Sequence, residues 1–304
     1  MKTFSILVVL FTVLASTSGV HAMTPEEIRL GFKKHAALAQ FHRWYQLYEN
    51  NAVPIENSLD ILAADVTVKS GLGEGKGHDV YKQRIAQLPK AWKNAHFPRN
   101  IQVTPKADGS TELTAEVTYF NEGMKPGVVG SAELTYTTVL KGSETVLPRF
   151  SSIEIKQNSE GTTLTFKDAY PDNRVRSLLH YWLALIEDPA RRIDPFKEIL
   201  ATGYALNFSS GKISDATAFE KWFRGPASSV AASTHEVQNL KVEVLSSSEF
   251  KMSAELDWEG ILPNNAEMTA RTRHVWLVVD NPKERFARIK TMDVEVLRPF
   301  APKK

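Results

Sequence analysis

Residues 42–63 and 180–201 are two versions of one segment, and a chain that carries a segment twice in register is constrained to fold as two copies of one domain. Slid over itself by 138 places (180 − 42), the sequence sets HRWYQLYENNAVPIENSLDILA on HYWLALIEDPARRIDPFKEILA without a gap. His42, Trp44, Leu47, Glu49, Ala52, Ile55, Ile61, Leu62 and Ala63 meet His180, Trp182, Leu185, Glu187, Ala190, Ile193, Ile199, Leu200 and Ala201, nine identities in 22 positions. At an offset of 139 (235 − 96), His96, Asn100, Val103, Ala115 and Glu116 fall on His235, Asn239, Val242, Ala254 and Glu255, so the register continues past one inserted residue. A period this long suits a whole domain rather than a solenoid unit. Each half has enough Leu, Val, Phe and Trp to bury a core of its own.

Residues 1–22 have the layout of a secretory signal: Lys2 at the start, the apolar run SILVVLFTVLA, then small residues at Val20-His21-Ala22. The mature chain is expected to begin near Met23, in the periplasm or outside the cell. A spanning helix needs about 20 apolar residues, and neither this run nor any other segment supplies them, so no stable membrane insertion is expected. The absence of cysteine excludes a lipoprotein anchor, disulfides, thiolate metal sites and a cysteine nucleophile. In an exported chain it favours a bacterial periplasm or medium over the eukaryotic secretory route. With 37 Lys and Arg against 35 Asp and Glu, there is no electrostatic footprint for nucleic acid or anionic lipid. The polar stretch NSEGTTLTFKDAYPDN, with Gly161, Pro171 and Asp172, is the natural boundary. Domains are expected at 23–158 and 174–304, joined by a linker at 159–173.

Thr24 reads as an N-cap, with Glu26 and Glu27 in the first turn where negative charge suits the helix dipole. Phe41, Trp44, Tyr45 and Tyr48 follow at helical spacing, and Leu178, Leu179, Trp182, Leu185 and Ile186 repeat the stripe. Shorter helical stretches are expected at 55–63 and 193–201. A glycine-rich turn at Gly71, Gly73, Gly75 and Gly77 precedes a third helix, HDVYKQRIAQLPKAW, answered by ATAFEKWFRGPASS. Beyond these helices both halves alternate polar and apolar residues, as in TELTAEVTYF and FKMSAELDWEG, with Asp108-Gly109 at a hairpin turn. Helices first and strands afterwards is an α+β pattern, three helices covering one face of a curved antiparallel sheet.

This order of elements, with His96-Phe97-Pro98-Arg99-Asn100-Ile101-Gln102-Val103 and its counterpart His235-Glu236-Val237-Gln238-Asn239-Leu240-Lys241-Val242, resembles the nuclear transport factor 2-like superfamily, and within it the SnoaL-like branch. The resemblance covers nearly all of both halves. It implies two tandem cystatin-like cones, each with a largely apolar pocket at its wide end. It also implies that the sheets pair through their outer faces as an intrachain pseudo-dimer. Glu116 and Glu255, out of phase with the apolar face, are then expected at a polar interface between the halves, with plain solvent exposure as the other reading. Family members include cofactor-free isomerases and dehydratases, and also domains that only bind or assemble.

By this resemblance a histidine at the start of a long strand and an acid at the end of the first helix point into the cone, which selects His96 with Glu49 and His235 with Glu187. A histidine titrating near neutrality takes a proton from carbon beside a carbonyl, and a carboxylate orients it. Tyr45 and Tyr48 would donate to a developing oxyanion. Leu183 and Ile186 stand at those places in the second half, so catalysis is expected in the first. The structural alternative has both histidines bonded to backbone and both glutamates as polar helix ends. Trp44, His42, Trp182, His180, Glu187 and His235 are candidate ligand contacts, with core packing the main reading of the tryptophans. No zincin motif, metal-ligand cluster, complete phosphate loop or nucleophile elbow occurs, so no cofactor and no metal is expected. The expected function is binding of a small, mostly apolar molecule, with isomerase or dehydratase activity if catalytic. The competing class is a non-catalytic binding or assembly module of the bacterial envelope. N-terminal sequencing of the exported protein should find a start close to Met23, and an intact Met1 would refute the leader.

Overall fold

The computed structural model describes residues 23–71, 73–142, 145–209 and 211–303. The leader assigned to residues 1–22 lies outside them. The first helix, α1 (Pro25–Glu49), starts at Thr24, whose hydroxyl accepts the Glu27 N–H at 3.3 Å while the Glu27 carboxylate accepts the Thr24 N–H at 2.7 Å. This reciprocal cap satisfies N–H groups that the helix itself cannot. A short α2 (Ile55–Asp60) leads into β1 (Leu62–Ser70) and β2 (Gly73–Lys76), then α3 (Gly77–Gln87), which stops ahead of Pro89. Four long strands complete the half: β3 (Lys93–Pro105), β4 (Thr111–Lys125), β5 (Val128–Lys141) and β6 (Arg149–Thr163).

The second half repeats the series with α4 (Tyr170–Glu187), α5 (Phe196–Ile199), β7 (Leu200–Phe208), β8 (Gly211–Ile213) and α6 (Ala216–Arg224). After a 3-10 turn at Pro226–Ser228 come β9 (Ala232–Ser246), β10 (Glu249–Ile261), β11 (Glu267–Val279) and β12 (Arg288–Pro302). Strand order is β2-β1-β6-β5-β4-β3 in one sheet and β8-β7-β12-β11-β10-β9 in the other, the same topology twice. Each sheet is mixed rather than wholly antiparallel, because β1 runs parallel to β6 and β7 to β12. The long excursion between each parallel pair allows the chain to return in the same direction. The connection between the halves is also shorter than the composition suggests. Residues 159–163 still pair with β5 and α4 begins at Tyr170, leaving 164–169 as the joint. Exposed polar residues extend a two-stranded ribbon there because the backbone bonds of the ladder do not depend on side-chain polarity.

The matched Asn–Glu pairs find their explanation in strand bends. Asn100 (φ 50°) and Asn239 (φ 53°) are left-handed, at places where pairing of β3 with β4 and of β9 with β10 slips. Asparagine tolerates that conformation better than most residues. Its amide donates to Glu116 at 3.0 Å in the first half and to Glu255 at 3.3 Å in the second. Each pair braces a bulge that sharpens the bend of its sheet. Arg99 joins Glu116, and Arg271 and Arg273 join Glu255, each glutamate pairing within its own sheet. The expected glutamate interface between halves is therefore absent among the described residues.

The halves meet through their first helices instead of their sheets. The helix α1 packs along α4 and continues onto β9 of the other half. Ala39 and Ser177, equivalent in the repeat, lie at the crossing, where the Ser177 hydroxyl donates to the Ala39 carbonyl at 3.1 Å. Beside it, Arg174 is wholly buried against Asp280 at 2.7 Å, and donates across the interface to Gln46 at 2.8 Å and to the carbonyls of Asn281, Glu284 and Arg285. Removing one member of such a pair leaves the other charged and buried. Arg174→Leu should lower unfolding stability by about 3–5 kcal/mol, read from urea denaturation. A loss below about 1 kcal/mol would show that the pair is dispensable.

Candidate functional site

The interface carries a polar chain whose members are related by the repeat. Shifting by 138 places sends His35 onto Asn173, His42 onto His180 and Glu49 onto Glu187. Asn173, on α4, donates to both oxygens of Glu49 at 3.0 and 3.2 Å and to the carbonyl of His96 at 2.9 Å. His35, on α1, answers it in the other half: its Nε2 lies 2.9 Å from the carbonyl of His235 and 3.4 Å from Glu187 Oε1. The two arms join through His42 and His180, whose rings stack 5.9 Å apart and 10° from parallel. A carbonyl only accepts, so His35 carries its proton on Nε2 and takes the Nδ1–H of His180 on Nδ1 at 3.0 Å. Asn173 Oδ1 likewise accepts the Nδ1–H of His42 at 2.8 Å. Burial keeps all three rings neutral: His35 is lowered, His180 is held well below its ordinary 6.5, and His42 is pushed down to about 4. His42 and His180 thus sit between the halves, bonded to Asn173 and His35.

In the first cone, Glu49 and His96 come together as expected. Glu49 Oε1 accepts both the backbone N–H of His96 at 2.9 Å and its Nδ1–H at 3.1 Å. Burial raises the Glu49 carboxyl, opposed by those bonds. Aromatic rings fill the space around them. Tyr45 stacks on His96 at 4.7 Å and Tyr119 lies over its other side at 5.1 Å, leaving His96 7% exposed. Tyr136, Phe41 and Trp44 close the layer beneath. Tyr48 bonds the Tyr81 hydroxyl at 3.2 Å, and the buried Tyr45 hydroxyl has no hydrogen-bond partner among the described residues. Burial drives the Tyr45 phenol well above its ordinary range. The tyrosines expected to serve an oxyanion therefore act here as filling, and Trp44 is core.

The second cone has the same frame with different filling. Leu183 and Ile186 replace Tyr45 and Tyr48, Trp258 stands where Tyr119 does, opposite His235, and His274 stands where Tyr136 does. A cavity of about 490 Å³ results. Its walls include Trp182, Ile186, Phe208, Trp222, Trp258 and Val294, with Val296 and the 58% exposed Phe300 at the rim. None of its lining side chains is a carboxylate, lysine or arginine. The polar groups are His235, His274, Thr272 and three serines.

Two hydrogen-bond chains set the chemistry of those groups. Glu187 is buried, and its Oε1 accepts the Nδ1–H of His235 at 2.8 Å. His235 Nε2 makes no hydrogen bond among the described residues, so an acceptor nitrogen stands in the cavity wall. The second chain starts at Trp276, whose Nε1–H donates to His274 Nδ1 at 3.3 Å. His274 Nε2–H then donates to the Thr272 hydroxyl at 3.1 Å, leaving the hydroxyl proton of Thr272 to donate into the cavity. Burial, reinforced by His235, pushes His274 down to about 3, so this chain stays neutral. The cavity thus offers a base at His235 and a hydroxyl donor at Thr272 in walls that are mostly apolar.

Of the sequence candidates, Trp182 and His235 line the cavity and Glu187 holds His235 from behind. His274, Thr272, Trp258, Trp222, His35 and Asn173 were not singled out. For His35 and Asn173 the signal was the same 138-place register, extended upstream to unlike residues.

No family model matches the chain, and no curated protein matches it in sequence. Solved structures similar to it in fold include the hexachlorocyclohexane dehydrochlorinase LinA type 3 from Novosphingobium barchaimii, at 11% identity, 43% of this chain, 89% of that one and a TM-score of 0.37. A protein with a cystatin-like fold from Caulobacter vibrioides is 13% identical over 42% of this chain and 91% of its own, with a TM-score of 0.34. A nuclear transport factor 2-like protein from Salmonella enterica is 11% identical over 39% and 85%, again with a TM-score of 0.34.

The interface histidines make stability depend on pH. Their folded pKa values lie below the unfolded 6.5, so below that pH the unfolded chain binds more protons and stability falls as pH drops toward 4. Glu49, raised above its ordinary 4.5, works in the opposite sense as one group against several. Urea unfolding should show stability rising between pH 4 and 6.5 by up to about 1.4 kcal/mol per pH unit for each histidine, then levelling. A flat profile through that window would mean that the histidines are not buried neutral.

Proposed function

We propose that the second half binds a small, uncharged, mostly apolar molecule in its cone and uses His235 to move a proton on it, as a cofactor-free isomerase or dehydratase. One observation carries this reading: a histidine held through Nδ1 by a buried carboxylate presents its unbonded Nε2 to an apolar cavity. In such surroundings His235 Nε2 would take a proton from carbon beside a carbonyl. Glu187 would stabilise the resulting imidazolium, an attraction strengthened by the low dielectric around it. Thr272 would donate its hydroxyl hydrogen to the oxygen on which charge develops. Returning the proton to a different carbon is an isomerisation, and delivering it to a departing hydroxyl releases water.

The first half fits the non-catalytic reading, because its own tyrosines occupy the corresponding space. Export to a bacterial periplasm or medium is part of the proposal and rests on the signal-like residues 1–22.

Native mass spectrometry of protein from its own host should reveal the ligand retained in the cone. Independently, the neutral fluorophore N-phenyl-1-naphthylamine should bind one site per chain. Ile186→Tyr, which copies Tyr48 into the second cone, should weaken that binding about tenfold or more, whereas Tyr48→Ile should leave it unchanged. Undiminished affinity in Ile186→Tyr would rule out the cavity as the binding site. With a substrate in hand, His235→Gln should lower kcat by roughly 10²-fold or more and His96→Gln should not. Comparable turnover by the His235 variant would leave a binding protein.

A further inference from the structure

We propose that His35, on α1 of the first half, is a positioning residue for the His235–Glu187 pair of the second half, so that both halves contribute to the site in the second cone. This rests on reading the second cone as the ligand site. Little else holds Glu187. Its Oε2 is buried without a hydrogen-bond partner among the described residues, and its Oε1 is reached by His235 Nδ1 at 2.8 Å and His35 Nε2 at 3.4 Å. The same His35 Nε2–H donates to the main-chain carbonyl of His235 at 2.9 Å. Its hydrogen bond to the pair therefore goes to the backbone of the base, and the carboxylate that orients the base lies 3.4 Å from the same nitrogen. His35 is itself fixed from behind by the Nδ1–H of His180 and is 1% exposed, so it has no room to take another rotamer without losing these bonds.

The repeat supplies an internal comparison. At the equivalent place in the other half, Asn173 donates to Glu49 and to the main-chain carbonyl of His96. The residue type differs between the copies, yet both positions donate an uncharged N–H to the histidine backbone and lie against the carboxylate, which Asn173 bonds and His35 approaches at 3.4 Å. Neutrality matters, because a lysine or arginine here would form an ion pair with Glu187 and compete with His235 for its charge. The approach of α1 is also written into its sequence. Gly31 lies one helical turn before His35, and a Cβ at that position would come within 2.8 Å of Glu187 Oε2 and 2.1 Å of Thr234 Oγ1. Only glycine allows the helix this close to the pair.

The test reads the tautomer of His235 in the full chain by long-range 1H–15N NMR, which needs no ligand. In the native protein His235 should be a single Nδ1–H form. His35→Leu should release about a third or more of it into the Nε2–H form, and His35→Asn, which copies Asn173, should keep the native form. Asn173→Leu is the mirror control and should disturb His96 while leaving His235 intact. A folded His35→Leu with an unchanged His235 spectrum would overturn the proposal. So would an Asn173→Leu that perturbs His235 as much as His35→Leu does, since that would be general loosening of the interface. Should His35→Leu fail to fold, His35→Asn decides: a single Nδ1–H form supports the proposal, and a mixture in the folded variant refutes it. Failure of the cone to take up N-phenyl-1-naphthylamine would sink the ligand site alone, because the tautomer reports on His35 regardless.

Discussion

The crossing of α1 and α4 is the contact on which the rest of the molecule depends. Each helix covers the sheet of its own half with one side and enters the other half with the opposite side. Small residues at the crossing, Ala39 against Ser177, bring the two backbones close enough for side chains further along to reach across. Every polar group carried into that interface must then be satisfied there, because no solvent remains to hydrate it. Asn173 meets that requirement by bonding His42, Glu49 and the His96 carbonyl, and His35 by bonding His180 and the His235 carbonyl. Arg174 meets it by filling its guanidinium with Asp280, Gln46 and three carbonyls. The arrangement fixes both helix ends, and the glutamates that end those helices face the histidines of the long strands.

On this shared frame the two cones diverge through side-chain size. Phenol rings at 45, 48 and 119 pack around His96, with Tyr136 against Tyr45. Aliphatic residues at 183 and 186, with Trp258 and His274 at the places of Tyr119 and Tyr136, leave space around His235. The histidine–glutamate pair is common to both cones, so the pair alone does not distinguish an open site from a closed one. Volume does. A well-packed interior has no tolerance for extra rings and no means of closing a gap of this size.

Much of the frame was legible in the sequence. Capping at Thr24, the helical stripes, the hairpin at Asp108-Gly109 and the tandem register all correspond to local rules that the chain obeys. The helix glutamates and strand histidines were legible as partners for the same reason, since their spacing repeats. The open cone was not legible, because tyrosine offers two properties, a hydroxyl and a bulky ring, and only three-dimensional packing decides which one matters. Tyr45 and Tyr48 carry hydroxyls suited to an oxyanion, and in the first cone their rings pack against His96. Glu116 and Glu255 were correctly placed on the outer face by alternation, but alternation gives a side and not a partner. Their partners turned out to be the asparagines sixteen residues upstream, at strand bends that no periodicity reports. The role of His35 and Asn173 was hidden for a further reason: the two copies keep the function of the position while changing its residue, and a search for identities passes over it.

The reach of α1 into the second half has a consequence for the order in which the chain emerges during synthesis. Domains generally fold N-terminal first, and α1 leaves the ribosome well before the strand that will cover it, since β9 begins at Ala232. Until then the side of α1 that carries Gly31 and His35 lacks its cover from β9. Histidine suits such an interval, because a hydrated imidazole near its ordinary pKa is readily soluble, whereas a leucine there would offer a sticky surface. The residue that completes the buried interface is thus also one that can wait in solvent for its partner to arrive.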